Sequence, residues 1–212
     1  MSLLTKLFHF VVMMSSKHNI DSSHGITHSM NVLHFTQGIY DLEVKKNINL
    51  IDHERIIYVS AILHDMCDKK YMKEEEGIQE IESFLQEKIW PWEIDAVKSI
   101  ISTMSYSKVK VNGFPDLGVY QDAYHVVREA DLLAAYDFDR CMQYRLEKSM
   151  LTIEDTYKDA CELFEKRMLR HESDGLFLTQ YSKENYKVLH DTSIQQIAQW
   201  RRFIHNPRLK VM

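Results

Sequence analysis

Four ionisable residues fall at positions where helical spacing buries side chains: His28, His64, Asp65 and Asp131. His28 shares a line with Val32, Phe35 and Ile39. His64 and Asp65 end the most apolar stretch of the chain. Asp131 sits in an apolar row between Val127 and Ala134. An unpaired carboxylate buried there is costly, so it needs a cation or a strong donor. One divalent ion answers for all four residues. Two imidazoles and two carboxylates suit manganese, iron, cobalt, nickel or zinc better than calcium, and magnesium stays among the candidates. On a six-coordinate ion, four protein ligands leave room for water and a phosphate oxygen. A bound ion acidifies its water and polarises a phosphoryl group.

The elements that must position these residues are helices. The chain has six Gly and three Pro in 212 residues. It shows little strand-type alternation and no repeat. Leu3 to Met14 reads as an N-terminal helix packed on the body. Spacing predicts a helix from about Gly25 to Leu42. It predicts a second from about Asp52, as N-cap, to Asp65, buried nearly all round. A third carries Ile78, Ile81 and Phe84 or Leu85, and a fourth starts at Pro91 with Ile94, Val97, Ile101 and Met104 inward. Ser105 to Tyr120 reads as the clearest loop. One helix then holds Tyr124, Val127, Asp131, Ala134 and Phe138 in line. Two amphipathic helices close the chain, one through Ile153, Tyr157, Cys161, Phe164 and Met168, the other through Tyr186, Leu189, Ser193, Ile197, Trp200 and Ile204. The expected architecture is a compact all-α domain.

Composition narrows the function classes. Hydrophobic residues make up 45% and charged residues 27%, which suits a globular core. The net charge of -5 argues against an extended nucleic-acid or membrane surface. Leu3 to Met14 is too short to span a bilayer. Cys67, Cys141 and Cys161 lack CxxC spacing and read as reduced thiols of a cytoplasmic protein. Trp200 and Phe203 project from the last helix at different angles, which leaves a homodimer open.

Ser23-His24-Gly25-Ile26-Thr27-His28, then Ala61-Ile62-Leu63-His64-Asp65, then Glu129-Ala130-Asp131-Leu132-Leu133 resembles the H…HD…D signature of HD-domain phosphohydrolases. Within that superfamily, His64-Asp65-Met66-Cys67-Asp68-Lys69-Lys70 is most similar to the small stand-alone branch with HDxxDxK. The match covers about residues 20–140, with helices 141–212 packed on that core, so that 1–212 forms one HD domain. The resemblance implies an all-α fold and one divalent metal ion on His28, His64, Asp65 and Asp131. It implies hydrolysis of a nucleotide phosphate ester or anhydride by attack of metal-bound water. Members of the branch are associated with cleavage of nucleoside triphosphates to monophosphate and pyrophosphate. Carried over by position, Asp68 is the general base, Lys70 holds phosphate oxygens, and His24 is a substrate contact or a partner of the ligands.

Departures from the family pattern bear on substrate. Asn31 stands where many relatives have Arg, and Leu132 and Ala134 replace an Arg and an Asp. These changes motivate the alternative of a regulatory nucleotide-binding module with little turnover. Ser105-Tyr106 follows Met104 where dinuclear relatives supply a further His. Its absence favours one ion and argues against a dinuclear phosphodiesterase. Lys108 and Lys110 read as solvated loop residues, and Cys67 carries no sign of a nucleophile.

Overall fold

The structure, a computed structural model, describes residues 1–149 and 151–209. Among the described residues ten α-helices follow in order: α1 (Leu3–His18), α2 (Ile26–Glu43), α3 (Glu54–Leu63), α4 (Glu74–Leu85), α5 (Pro91–Thr103), α6 (Tyr106–Asn112), α7 (Gln121–Ala134), α8 (Phe138–Ser149), α9 (Ile153–Lys166) and α10 (Gln180–Ile204). No strand occurs among the described residues. The bundle is all-α, as the 3.6-residue spacing requires. No described helix is long and apolar enough to cross a membrane.

The core is organised around α3. Ile56, Ile57, Val59, Ser60, Ala61, Ile62 and Leu63 are all buried, so this short helix is covered on every side. Helices α2 and α7 pack against it and against each other, and α1 and α5 cover its other faces. From α2, His28, Val32 and Ile39 point inward with Ser29 and Thr36, while Phe35 is only half-buried. Pro91 opens α5, and Glu93 accepts from the Trp90 N–H at 2.8 Å. Arg55 forks onto the buried Glu93 carboxylate at 2.7 and 2.8 Å, fastening α3 to α5. A second apolar cluster joins α8 and α9 through Phe138, Met142, Ala160, Phe164 and Met168, with Ile197 and Trp200 of α10 packed against it. Leu169 borders both clusters.

Three expectations require correction. Asp52 is no cap: Ile48–His53 winds as a 3-10 helix, so the chain never takes the extended backbone that capping at Asp52 needs, and His53 precedes α3. The Ser105–Tyr120 stretch is no loop throughout, since it contains α6 and a 3-10 turn over Gly118–Tyr120. Phe138 does not continue the helix of Asp131, because the chain breaks after Ala134 and restarts as α8. The break is satisfied from outside. Asp137 accepts from the Arg140 N–H at 3.1 Å as an N-cap, Gln196 accepts from the Phe138 N–H at 3.1 Å, and Ser193 donates to the Tyr136 carbonyl. On α10, Trp200 follows its row with Ile197: it is half-buried on the second cluster and donates to Asp139 at 2.7 Å, whereas Phe203 is exposed.

Candidate metal centre

Helix α2 delivers His28 in its first turn, α3 ends on His64 with Asp65 just beyond, and α7 delivers Asp131 in its last turn. Because these helices pack directly on one another, three distant segments converge. The ligand atoms of His28, His64 and Asp65 all lie within 4.8 Å of one another. His28 Nε2 is 3.2 Å from His64 Nε2, 3.4 Å from Asp65 Oδ2 and 3.3 Å from Asp131 Oδ1. His64 Nε2 is 3.5 Å from Asp65 Oδ1 and 3.6 Å from Asp131 Oδ1. Metal–ligand bonds of about 2.1 Å, at angles near 90–110°, put neighbouring donors about 3.0–3.4 Å apart. The trio of His28, His64 and Asp65 can therefore hold a divalent ion.

The protonation pattern fits the same use. His64 Nδ1 lies 2.9 Å from the Ala61 carbonyl. A carbonyl only accepts, so Nδ1 carries the hydrogen and Nε2 is turned to the site. Asp65 Oδ2 and His28 Nδ1 are buried with no hydrogen-bond partner. Burial, followed by the nearby Arg140 charge, lowers His28 to about 4. Burial also opposes charge on His64, but the carboxylates of Asp65 and Asp131 outweigh it and raise the group to about 9. Burial works against both carboxylates, yet the imidazoles hold Asp65 and Asp131 below the usual range. The two carboxylates thus make a positive charge favourable between the imidazoles.

All seven residues expected from sequence line one cleft of about 210 Å³: His24, His28, His64, Asp65, Asp68, Lys70 and Asp131. The imidazoles are buried, while the two carboxylates keep partial access to the cleft. Asp68 is engaged by its neighbour, its Oδ1 accepting from the Lys70 N–H at 2.8 Å and its Oδ2 lying 3.3 Å from Lys70 Nζ. Lys70 Nζ also donates to His24 Nε2 at 3.2 Å and stands 5.6 Å from the centre of the Tyr144 ring. An ammonium only donates, so the His24 hydrogen is on Nδ1, facing Ser23, Tyr71 and Asp21 at 2.8, 3.0 and 3.3 Å. Asp21 anchors this group. Burial opposes its charge, but hydrogen bonds from His24, Ser23 and Tyr71 hold its carboxyl well below the usual range.

Other cleft residues were not legible in the sequence. Arg140 and Tyr144 come from α8, which the periodicity did not separate from α7, and Arg167 follows the end of α9. No spacing links Arg167 to the metal residues. Lys108 is not a solvated loop residue: it lines the cleft, pairs with Glu74 and donates to the Ser102 carbonyl at 2.7 Å. Lys110 pairs with Asp174 at 2.6 Å. Both are held because α6 brings them against α4 and the segment after α9. Cys67 is buried, and burial pushes its thiol up to about 12, against any nucleophilic use.

No family model matches this chain, and no curated protein matches it. A crystal structure of a protein from Lactobacillus plantarum, a Northeast Structural Genomics target, is similar over 93% of this chain and 96% of its own, with a TM-score of 0.64 and 21% identity. At that identity the likeness is one of fold.

Proposed function

We propose that this protein is a metal-dependent phosphohydrolase of the HD type, acting on a phosphate ester or anhydride of a nucleotide. The observation that carries the proposal is the convergence of His28, His64, Asp65 and Asp131, with His64 Nε2 turned inward by the Ala61 carbonyl. Asp131 is the fourth ligand, since its Oδ1 closes on both imidazoles. A mixed nitrogen and oxygen set of this kind takes a transition-metal ion or magnesium, and Ser105-Tyr106 in place of a further His supports a single ion. When bound, the ion supplies Lewis-acid polarisation of a phosphoryl oxygen and an acidified water.

The chain's own groups divide the remaining work. Lys70 neutralises phosphate charge, with His24 and Tyr144 holding its ammonium at the cleft. Asp68 takes a proton from the attacking water once substrate draws Lys70 away from its carboxylate. At about 210 Å³ the cleft is smaller than the roughly 300 Å³ at which drug-sized pockets begin, so it encloses the phosphate end of a nucleotide and leaves the base at the rim.

The test is hydrolysis of a nucleotide panel alongside elemental analysis. Asp65→Ala and His64→Ala should each lose the metal and at least about a hundredfold in rate. An Asp65→Ala protein that hydrolyses nucleotides as fast as wild type would sink the proposal. One observation favours a second reading, a nucleotide-binding regulatory module: both oxygens of Asp68 are engaged by Lys70, which weakens it as a base. Tight nucleotide binding without products would select that reading.

A further inference from the structure

Two arginines in the cleft form no ion pair among the described residues. Arg140 and Arg167 both line the wall around the metal ligands. The arginine ion pairs among the described residues involve Arg55, Arg128 and Arg170 instead. Arg140 spends one N–H on the Ser23 carbonyl at 2.9 Å, which fixes its reach. Asp137 is beside it in the cleft, but the Asp137 carboxylate caps the Arg140 backbone N–H. Arg167 lays its guanidinium on the Tyr106 ring at 4.6 Å, and its Nε is buried with no partner. Stacking occupies the face of the group and leaves its N–H edge to bond elsewhere.

The charges of the lining favour an anion. Five carboxylates and five lysines or arginines face the cleft, so its side chains balance. A divalent ion on Asp65 and Asp131 leaves two positive charges in excess. Lys70 is paired with Asp68 and Lys108 with Glu74, which leaves Lys69, Arg140 and Arg167 against Asp137; Lys69 is exposed to solvent, so the excess inside the cleft is on Arg140 and Arg167. Burial works against the Arg167 cation, the Asp131 carboxylate supports it, and the Arg140 charge opposes it. Two like charges kept together beside a water-accessible cleft suit a ligand that carries about two negative charges on several oxygens.

We infer that Arg140 and Arg167 form an oxyanion subsite that takes a phosphoryl group of the substrate beside the metal ligands. The inference rests on the phosphohydrolase reading and adds the residues that recognise phosphate. Both guanidiniums present donor edges, so a tetrahedral phosphoryl group with its oxygens spread in space matches them better than a planar carboxylate.

Calorimetric titration of metal-loaded protein with inorganic pyrophosphate and with inorganic phosphate tests this, with metal content measured on the same samples. Arg140→Gln and Arg167→Gln should each weaken pyrophosphate binding at least about tenfold while retaining the metal. Arg167→Lys should recover only part of the loss, because an ammonium lacks the fork. In wild-type protein, pyrophosphate should protect both arginines from an arginine-directed dicarbonyl reagent, a readout that does not depend on how the variants fold. Binding by both Gln variants within about twofold of wild type, or modification of both arginines at the same rate with and without pyrophosphate, overturns the subsite. Failure of the parent reading looks different: wild-type protein then retains no metal and hydrolyses no nucleotide.

Discussion

The ring of His64 is pinned from behind by the Ala61 carbonyl, and this one bond gives the centre its polarity. With Nδ1 protonated, Nε2 faces His28, Asp65 and Asp131 and binds either a proton or a metal. A second histidine shows the opposite regime. His171 is fully buried among Tyr106, Tyr136 and Phe177, and neither ring nitrogen has a partner. Burial, and then Arg167, lowers it to about 3. An unfolded histidine takes its proton near pH 6.5. The neutral folded form therefore adds stability above that pH, and the contribution is lost as pH falls from about 6.5 towards 3. Between pH 6.5 and 4.5 the loss should reach about 2 kcal/mol. His171→Phe, which keeps the ring contacts, should flatten that limb in urea denaturation measured across pH. An unchanged acid limb would contradict this account of His171.

At the scale of elements, α4 backs the segment that carries Asp68 and Lys70. Gly77 of α4 meets Cys67 so closely that a Cβ would lie 2.6 Å from the Cys67 Cα. Gly38 of α2 is equally tight, but there the obstacle is the Tyr181 ring at 2.6 Å. A ring can turn aside, whereas backbone cannot without moving the turn after Asp65. Alanine also gains up to about 1 kcal/mol of helix propensity over glycine. Gly38→Ala should thus stay within about 1 kcal/mol of wild type, while Gly77→Ala should lose about 1–3 kcal/mol in thermal unfolding. On the proposed phosphohydrolase reading, Gly77→Ala should also lower turnover by displacing Asp68 and Lys70. Equal effects of the two substitutions would remove α4 as the backing of this turn.

Across the whole molecule, Glu129 ties the core around His28, His64 and Asp131 to the last helix. Its carboxylate is buried, pairs with the buried Arg128 at 2.9 Å, and accepts from the Leu178 and Thr179 N–H groups at 2.9 and 3.0 Å. The Thr179 hydroxyl adds a bond at 2.7 Å, so the carboxylate both anchors Thr179, the N-cap of α10, and neutralises Arg128. Glu129→Ala strands a buried guanidinium and frees the start of α10. It should cost about 3–5 kcal/mol in denaturant unfolding. Because α10 also satisfies the break between α7 and α8, the wall bearing Arg140 should loosen with it. A loss below about 1 kcal/mol would show that α10 docks by apolar contact alone.

By itself, the sequence determined the all-α class and the seven residues that meet in the cleft. Helical phase is local: the side chains of His28 and Asp131 keep the phase of Val32 and Val127 on their own helices, wherever those helices lie. The HDxxDxK segment is local too, so Asp68 and Lys70 stayed beside Asp65. Tertiary structure alone decided the break before α8, the pairing of Lys108 with Glu74, and the arrival of Arg140 and Arg167. Each depends on partners tens of residues away. The break persists because Gln196 and Ser193 of α10 satisfy backbone groups that a continuous helix would have used itself. Periodicity reports how a helix faces its core, and it carries no information about which distant chain supplies the opposite wall.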